Sequence, residues 1–336
     1  MEAIRKSARE KMKGYCKVCP VCNGKACAGE VPGMGGLGTG SAFHANLEAL
    51  DSVRFNMKLV HGVKAPITHT EFLGLSLSMP LLAAPIGGVS FNMGGGDVTE
   101  GAYIDAIVAG CKAKGLIGCT GDGVPEIIHA SGNAAIEKAG GHGIPFIKPW
   151  EEKEFFDKLE KAEATGATVF GVDIDAAGLV TLAKMGRPVS PMTVADLEQV
   201  MKATSMKFIL KGVMTVHDAL CAKEAGAEAI VVSNHGGRVL DSTPGTAEVL
   251  PEIAEAVGSE MTVLVDGGIR SGGDILKMLA LGAHGVMIGR PFSVAAVGGL
   301  QQGVETYIDT LRTQLLQAMV LTGTDDVNRV ESGILR

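Results

Sequence analysis

Short apolar segments alternate with amphipathic segments from about residue 80 onward. Eight of the apolar segments have the length of a buried strand. Apolar runs of about four to eight residues predict strands that are covered on both faces. The predicted strands are Leu81–Ala84, Leu116–Cys119, Pro145–Lys148, Thr168–Asp173, Lys207–Lys211, Ala229–Ser233, Thr262–Asp266 and Gly285–Gly289.

The segments between these strands have the apolar spacing of helices. Gly226 and Gly282 follow two of them directly, as expected for residues that end a helix. Eight strand–helix alternations imply parallel strands, and eight is the number that closes a barrel. The sequence therefore predicts an α/β fold of the (β/α)8 TIM-barrel type. The predicted helices include Phe155–Thr165, Val216–Ala225, Ala247–Val257 and Gly273–Leu281.

An open, doubly wound sheet is the alternative fold for such an alternation. That fold would place a Gly-x-Gly-x-x-Gly turn after its first strand. Here the first strand is followed by Ala84-Pro85-Ile86-Gly87-Gly88, which lacks that spacing. The barrel is therefore favoured.

Residues 1–75 precede the barrel, which is assigned to residues 76–336. Ala3–Lys13 is a predicted helix, residues 28–41 form a Gly-rich loop, and Phe43–Val60 is either a second helix or a lead-in segment. Nothing resembles a linker that would separate this Cys-rich part as an independent domain. We expect it to cap one end of the barrel.

Composition and charge argue against nucleic-acid-binding and membrane-spanning proteins. The chain has 336 residues, 46% of them hydrophobic, and a formal net charge of −7, which argues against a dedicated nucleic-acid binder. No apolar run reaches the roughly 18 residues of a membrane span, and no signal peptide is visible. Seven cysteines, an odd number without an export signal, favour a reducing cytoplasm. We therefore expect a cytoplasmic protein with no membrane partner.

Charged side chains follow the predicted strands at their carboxyl ends, where active sites of TIM barrels gather. The last two strands end in Asp266-Gly267-Gly268-Ile269-Arg270 and Gly289-Arg290. Exposed backbone N–H groups and two guanidinium groups predict a phosphate site there, although Gly-Gly could simply make a tight turn. The full set of charged strand ends is Asp173, Lys211, His235, Arg238, Asp266, Arg270 and Arg290.

His235 lies between a strand end and two glycines, and a histidine alone is more often structural than catalytic. Asp173 is a candidate carboxylate that fixes its tautomer and stabilises its protonated form. Arg238 can bind a carboxylate through two parallel hydrogen bonds. Lys211 can place an ammonium where negative charge develops during a reaction.

The segment Val232-Ser233-Asn234-His235-Gly236-Gly237-Arg238-x-Leu240-Asp241 resembles the signature of the FMN-dependent 2-hydroxy-acid oxidases and dehydrogenases, such as glycolate oxidase and lactate oxidase. The resemblance is strong over residues 205–295, fair over 76–175 and poor before 76. It implies that His235 is the base, that hydride goes to flavin N5, that Arg238 anchors the carboxylate and that Asp173 is the partner of His235. It also implies a homo-oligomer and a small carboxylate substrate.

The same resemblance implies the residues that contact FMN. Pro85-Ile86-Gly87 matches a flavin-backing turn, Thr120 stands where a serine is expected, and Lys148 where a glutamine is expected. The other implied FMN contacts are Lys211, Ser233, Asp266, Gly267, Gly268, Arg270, Gly289 and Arg290.

The substrate pocket departs from the family pattern. Trp150 stands where the family has a substrate-contacting tyrosine. Tyr15, or the adjacent Cys16, is the nearest match to a second pocket tyrosine, and Arg187 is a remote match to a second substrate arginine. These departures leave open another FMN-dependent enzyme, an isomerase or a reductase, or a flavin-binding protein without catalysis. The electron acceptor is not indicated.

Four cysteines form the second unusual motif, Cys16-x2-Cys19-x2-Cys22-x4-Cys27. Thiolates at this spacing are typical of zinc sites and iron–sulfur clusters. Cys27 is followed by alanine rather than by the proline of a ferredoxin motif. The open interpretations are a zinc site, an iron–sulfur cluster, a redox disulfide and free thiols.

Overall fold

The described part of the chain contains ten strands and twelve α-helices, together with four short 3-10 helices. The protein is represented by a computed structural model, which describes residues 1–30, 33–94, 96, 98–187 and 189–336. The strands are β1 (Thr70–Phe72), β2 (Leu75–Leu77), β3 (Leu81–Ala83), β4 (Ile117–Thr120), β5 (Ile144–Ile147), β6 (Val169–Asp173), β7 (Lys207–Val213), β8 (Ala229–Val232), β9 (Thr262–Val265) and β10 (Gly285–Ile288).

The helices alternate with the strands after β3. They are α1 (Glu2–Lys11), α2 (Ser41–Ser52), α3 (Val89–Asn92), α4 (Glu100–Ala113), α5 (Glu126–Lys138), α6 (Glu152–Glu163), α7 (Val180–Lys184), α8 (Val194–Lys202), α9 (Val216–Glu224), α10 (Thr246–Val257), α11 (Gly272–Ala280) and α12 (Arg290–Thr322). Among the described residues, none of these helices combines the length and the apolar character that crossing a membrane requires.

Strands β3 to β10 form a closed parallel barrel. Each strand pairs with the next along the chain, and β10 pairs back with β3 through Val286 and Leu81. All eight predicted strands are present, and the predicted TIM barrel is confirmed. The open sheet is excluded because its two edge strands would remain unpaired, whereas here they are joined.

Large, fully buried side chains pack on the barrel strands. Phe146, Phe170 and Phe208 are fully buried, and the rings of Phe170 and Phe208 stack with centroids 5.1 Å apart. Gly171 provides the space for Phe146, because a Cβ at that glycine would lie 2.2 Å from the phenyl ring. The short apolar segments form strands because they lose contact with water on both faces.

Residues that precede the barrel pack closely on its helices. A Cβ on Gly298 in α12 would lie 2.2 Å from the carbonyl oxygen of Ile4 in α1. A Cβ on Gly245, at the start of α10, would lie 2.4 Å from the carbonyl oxygen of Ala45 in α2. Asn46 in α2 donates to the side chain of Asn234 at 2.8 Å, next to the end of β8. The N-terminal part thus reaches the carboxyl end of the barrel.

Two local features differ from the sequence-based expectation. The segment from Phe43 to Val60 is helical only as far as Ser52, because Phe55 then forms a β-bridge with Leu335 near the C-terminus. The antiparallel hairpin of β1 and β2 was not expected. Its Phe72 ring contacts Gly285 at the start of β10, so the hairpin covers the amino-terminal end of the barrel.

Two adjacent glycines in α11 provide a test of the helix packing. Gly272→Ala would place its Cβ 2.2 Å from the backbone nitrogen of Leu315 in α12. Because a helix backbone cannot move as a side chain tip does, we expect a loss of about 1–3 kcal/mol in the free energy of unfolding. Denaturant unfolding monitored by circular dichroism measures it.

Gly273→Ala is the matched control. Its Cβ would meet only ordinary contacts, the nearest 3.5 Å away on the Phe55 ring. We expect it to be neutral or to stabilise by up to about 1 kcal/mol, because alanine has the higher helix propensity. Equal destabilisation by both variants would contradict the packing argument.

Candidate active site

A cavity of about 310 Å³ opens at the carboxyl ends of the barrel strands. Fourteen of the predicted site residues line it together with an apolar wall from α3, α5 and α7. The sequence-based site residues that line it are Pro85, Ile86, Gly87, Lys148, Asp173, Lys211, His235, Arg238, Asp266, Gly267, Gly268, Arg270, Gly289 and Arg290.

Three predicted site residues lie behind the cavity wall instead. Thr120 and Ser233 are buried, at 2% and 0% exposure, and the hydroxyl of Ser233 accepts a hydrogen bond from the backbone N–H of His235. Trp150, at 6% exposure, is also absent from the lining. The centre of its ring is 4.8 Å from the ammonium of Lys158 and 5.3 Å from the guanidinium of Arg187.

Asp122 lines the cavity, whereas the neighbouring Trp150 does not. Its carboxylate accepts hydrogen bonds from the indole N–H of Trp150, at 2.5 Å, and from the backbone N–H of Lys148, at 3.1 Å. Burial alone would raise the pKa of Asp122, but the ammonium groups of Lys158 and Lys148 lower it. The sequence analysis missed Asp122. Its position just after strand β4 could have indicated it, because the other charged residues of the site also follow the carboxyl ends of strands.

Lys211 lies at the centre of the acidic side of the cavity. Its ammonium is 2.9 Å from Asp173 and 3.9 Å from Asp266, and all three residues are buried. Burial favours the neutral form of Lys211, but Asp173, Asp175 and Asp266 raise its pKa. Burial alone would raise the pKa of Asp173, but the nearby Lys211 ammonium lowers it. For Asp266 the effect of burial prevails, and its pKa is raised.

The imidazole of His235 is bonded to a carboxylate other than the predicted one. Its Nδ1 lies 3.0 Å from Oδ1 of Asp175, two residues beyond Asp173. Asp173 was expected to be the partner, but it ends β6 directly opposite Lys211 in the β6–β7 register and forms its ion pair there. Asp175 therefore corrects the predicted pair.

The backbone of His235 adopts an unusual conformation. Its φ is +54°, in the left-handed region, and the two glycines that follow have φ values of +63° and +78°. Non-glycine residues rarely adopt this region, and such strain is concentrated at functional sites. The strand therefore ends in a tight turn that presents the imidazole to the cavity.

Three arginines form the basic side of the cavity. No carboxylate of the described residues lies within 4.0 Å of the guanidinium groups of Arg238, Arg270 and Arg290. The buried carboxylates nearby pair instead with Lys158, Lys211 and His235. Burial, together with the neighbouring guanidinium groups of Arg238 and Arg270, lowers the pKa of Arg290. The ring of Phe43 lies 4.3 Å from the guanidinium of Arg290. Positive charge that is buried without a counter-charge favours an anion.

These groups fit the phosphate of FMN. Nε of Arg270 is buried without a hydrogen-bond partner among the described residues. Gly267 and Gly268, with φ of +97° and +76°, form a turn at the cavity wall that has no side chains. Arg270, Arg290 and this glycine turn would hold the phosphate, while Lys211 and Lys148 line the cavity where a flavin ring would extend.

The four cysteines lie next to this basic side. All are free and half-buried, and Nη2 of Arg270 donates to Sγ of Cys22 at 3.7 Å. Within the described ranges, no three of the four thiols have sulfur atoms within 4.8 Å of one another. The thiols are neighbours but do not converge on one point in this structure.

Comparison with known proteins identifies the family. The profile of the FMN-dependent dehydrogenases matches residues 33–184 and 180–336. The chain belongs to the FMN-dependent dehydrogenase family. The predicted family, its FMN cofactor and the predicted enzyme class, a 2-hydroxy-acid oxidase or dehydrogenase, are thereby confirmed.

Two relatives cover most of the chain. The 4-hydroxymandelate oxidase of Amycolatopsis orientalis is 32% identical over 87% of this chain and 89% of its own length. The L-lactate oxidase of Lacticaseibacillus rhamnosus is 31% identical over 86% and 84%. A third relative, the L-lactate dehydrogenase of Caulobacter sp. (strain K31), is 47% identical, but over 42% of this chain and only 37% of its own length.

Solved structures of family members share the whole fold. A crystal structure of mandelate oxidase has a TM-score of 0.79 and 28% identity, and covers 100% of this chain and 97% of its own. Flavocytochrome b2 with pyruvate bound has a TM-score of 0.76 and 26% identity over 90% and 80%. The similarity extends over the N-terminal part that carries the cysteines.

Arg270→Met tests the phosphate site. We expect FMN to bind about 10- to 100-fold more weakly, because a hydrogen bond to a charged group contributes roughly 1.5–3 kcal/mol. Riboflavin, which lacks the phosphate, should bind the variant and the unmodified protein equally. Quenching of flavin fluorescence on titration into the apoprotein measures both affinities.

Arg329→Met is the control, since Arg329 is 68% exposed and pairs with Asp325 and Asp326 away from the cavity. It should bind both flavins as the unmodified protein does. If Arg270→Met weakened riboflavin and FMN to the same extent, Arg270 would have no specific role at the phosphate.

Proposed function

We propose that this protein oxidises a 2-hydroxy acid to the 2-oxo acid, with His235 as the base. The observation that carries the proposal is that four groups line one cavity. They are His235, which is bonded to a carboxylate, Arg238, and the two arginines suited to the phosphate of FMN, Arg270 and Arg290. A base, an anion anchor and a flavin site in one cavity are the parts that this oxidation needs.

The proposed roles follow from the groups themselves. Arg238 binds the substrate carboxylate through its free guanidinium nitrogens, since Nη1 donates to the carbonyl oxygens of Gly33 and Gly35. His235 removes the proton of the substrate hydroxyl. FMN, when bound, accepts the hydride equivalent at N5. Lys211 supplies positive charge beside that ring.

The cavity wall supports a substrate with an apolar side chain. The apolar side chains that line it include Ile128, Leu182, Met185 and Phe91. The relatives named for 4-hydroxymandelate and L-lactate bracket the range of side chains to be tested. A series of 2-hydroxy acids from lactate to mandelate therefore forms the substrate panel.

A second candidate function is another FMN-dependent reaction, an isomerisation or a reduction. It is favoured by the lack of tyrosine in the cavity: Tyr15, Tyr103 and Tyr307 are all described residues, and none lines it. Bleaching of the flavin under anaerobic conditions by a member of the panel supports the oxidation. A flavin that stays oxidised with every 2-hydroxy acid favours the second candidate.

Residues 1–75 are proposed as a dependent cap of the site. Two contacts support this proposal. The carbonyl groups of Gly33 and Gly35 accept hydrogen bonds from Arg238, and the Phe43 ring lies beside Arg290. The cytoplasmic location and the homo-oligomer remain predictions, the first from cysteine usage and the second from the family resemblance. The electron acceptor is open to test with oxygen and with artificial acceptors.

His235→Asn tests the base. Asparagine tolerates the left-handed backbone that this position requires, so the fold and the bound FMN should be retained. We expect flavin reduction by the substrate to slow by about 10²- to 10⁴-fold, while dithionite still reduces the flavin. Anaerobic stopped-flow absorbance measures the rate, and reduction at the unmodified rate would exclude His235 as the base.

The cysteine cluster is proposed to bind one metal ion or cluster that orders the cap. Its support is the close spacing of the four thiols in the sequence. Anaerobic purification followed by metal and sulfide analysis tests it. Stoichiometric iron with sulfide indicates a cluster and stoichiometric zinc a structural ion, whereas protein with neither metal contradicts the proposal.

A further inference from the structure

Two aspartates two residues apart lie near the imidazole of His235, and they make different contacts. Asp175 is bonded to Nδ1 of the imidazole at 3.0 Å, and the two side chains retain only 10% and 18% exposure. Asp173 is 2.9 Å from the ammonium of Lys211, at 3% and 4% exposure. One ligand atom from each of Asp173, Asp175 and His235 lies within 4.8 Å of the others. Proximity alone therefore does not decide which carboxylate serves the histidine.

The backbone explains how Asp175 reaches the ring. Asp173 is the last residue of β6, and Asp175 lies in the short 3-10 helix Ile174–Gly178 that follows it. The facing strand β7 has a register irregularity between Lys211 and Val213. Gly212, at the irregularity, has φ of +105°, and a Cβ there would lie 2.6 Å from Cβ of Asp175. The glycine bulge thus makes the space that Asp175 occupies, as bulges beside active sites commonly do.

The charges give the two carboxylates different environments. Asp173 has the Lys211 ammonium as its counter-ion, and Asp266 lies 3.9 Å from the same ammonium. Among the described residues, Asp175 is hydrogen-bonded to Nδ1 of His235, whereas Asp173 makes no hydrogen bond to the imidazole. A carboxylate that is hydrogen-bonded to the ring is stabilised when the imidazole becomes positive. Asp175 is therefore the group whose interaction strengthens when His235 takes up a proton.

We propose that Asp175 is the positioning residue of His235, and that Asp173 instead holds the ammonium of Lys211. As acceptor at Nδ1, Asp175 keeps the proton on that nitrogen and leaves Nε2 free to receive one. It stabilises the imidazolium after the proton has been transferred from the substrate hydroxyl. The inference rests on the proposed role of His235 as the base.

The first test measures the tautomer and does not depend on turnover. Two-bond ¹H–¹⁵N correlation spectra of histidine-labelled protein with FMN bound report both ring nitrogens through carbon-bound protons. His235→Asn identifies the His235 signals among those of the eight histidines. We expect Asp175→Asn to change the Nδ1 and Nε2 shifts of His235, and Asp173→Asn to leave their protonation pattern as it is.

The second test measures the reaction with a substrate from the panel. Asp175→Asn should slow flavin reduction by about 10²- to 10⁴-fold, as loss of the orienting carboxylate does in the serine protease triad. The acid limb of its kcat/KM profile should move to lower pH, because the base loses a neighbouring negative charge. KM and FMN affinity should change little. Asp175→Glu, which keeps the charge, should restore part of the rate.

The outcomes separate this inference from the proposed function. If Asp173→Asn moves the His235 nitrogen shifts and the acid limb while Asp175→Asn moves neither, the assignment of the two aspartates is overturned. If the shifts respond to Asp175→Asn but no 2-hydroxy acid reduces the flavin, the pairing stands and the proposed reaction fails. Asp218→Asn, at an exposed helix start, is the control for a surface charge change.

Discussion

The ion pair between Lys211 and Asp173 constrains the rest of the site. Both groups are almost completely buried, and their strands place them opposite each other with a separation of 2.9 Å. A buried charge that loses its partner costs several kcal/mol, so neither group is free to serve elsewhere in the folded protein. This explains why the histidine at the end of the neighbouring strand is bonded to Asp175. The pairing of β6 with β7 thereby determines the partners of Lys211, Asp173 and His235.

The barrel separates two kinds of charge within one cavity. Carboxylates surround Lys211 and His235 on one side, and unneutralised guanidinium groups at the ends of β9 and β10 form the other. The closed arrangement of parallel strands brings both sides to a single opening, because every strand ends at the same rim. The groups suited to an anion and the histidine with its carboxylate thus lie on separate sides of one cavity.

The N-terminal part belongs to this site as much as the barrel does. Carbonyl groups of Gly33 and Gly35 accept hydrogen bonds from Arg238, and Phe43 lies beside Arg290. A Cβ at Gly35 would lie 1.7 Å from the carbonyl oxygen of Cys27, so the cysteine segment and the glycine loop are packed directly together.

The apolar periodicity by itself determined the eight barrel strands and four of the helices between them, because burial is a local property of each segment. It also placed His235, Arg238 and Lys211 at strand ends, which the barrel then brings to one cavity. The sequence did not reveal the roles of Asp175 and Asp122, nor the hairpin of β1 and β2. Those depend on the glycine bulge at Gly212, on the ion pair of Asp173 and on contacts between residues far apart in the chain. Distances across strands and the burial of charge arise only when the barrel closes, so only the tertiary structure decided which carboxylate is bonded to His235 and which to Lys211.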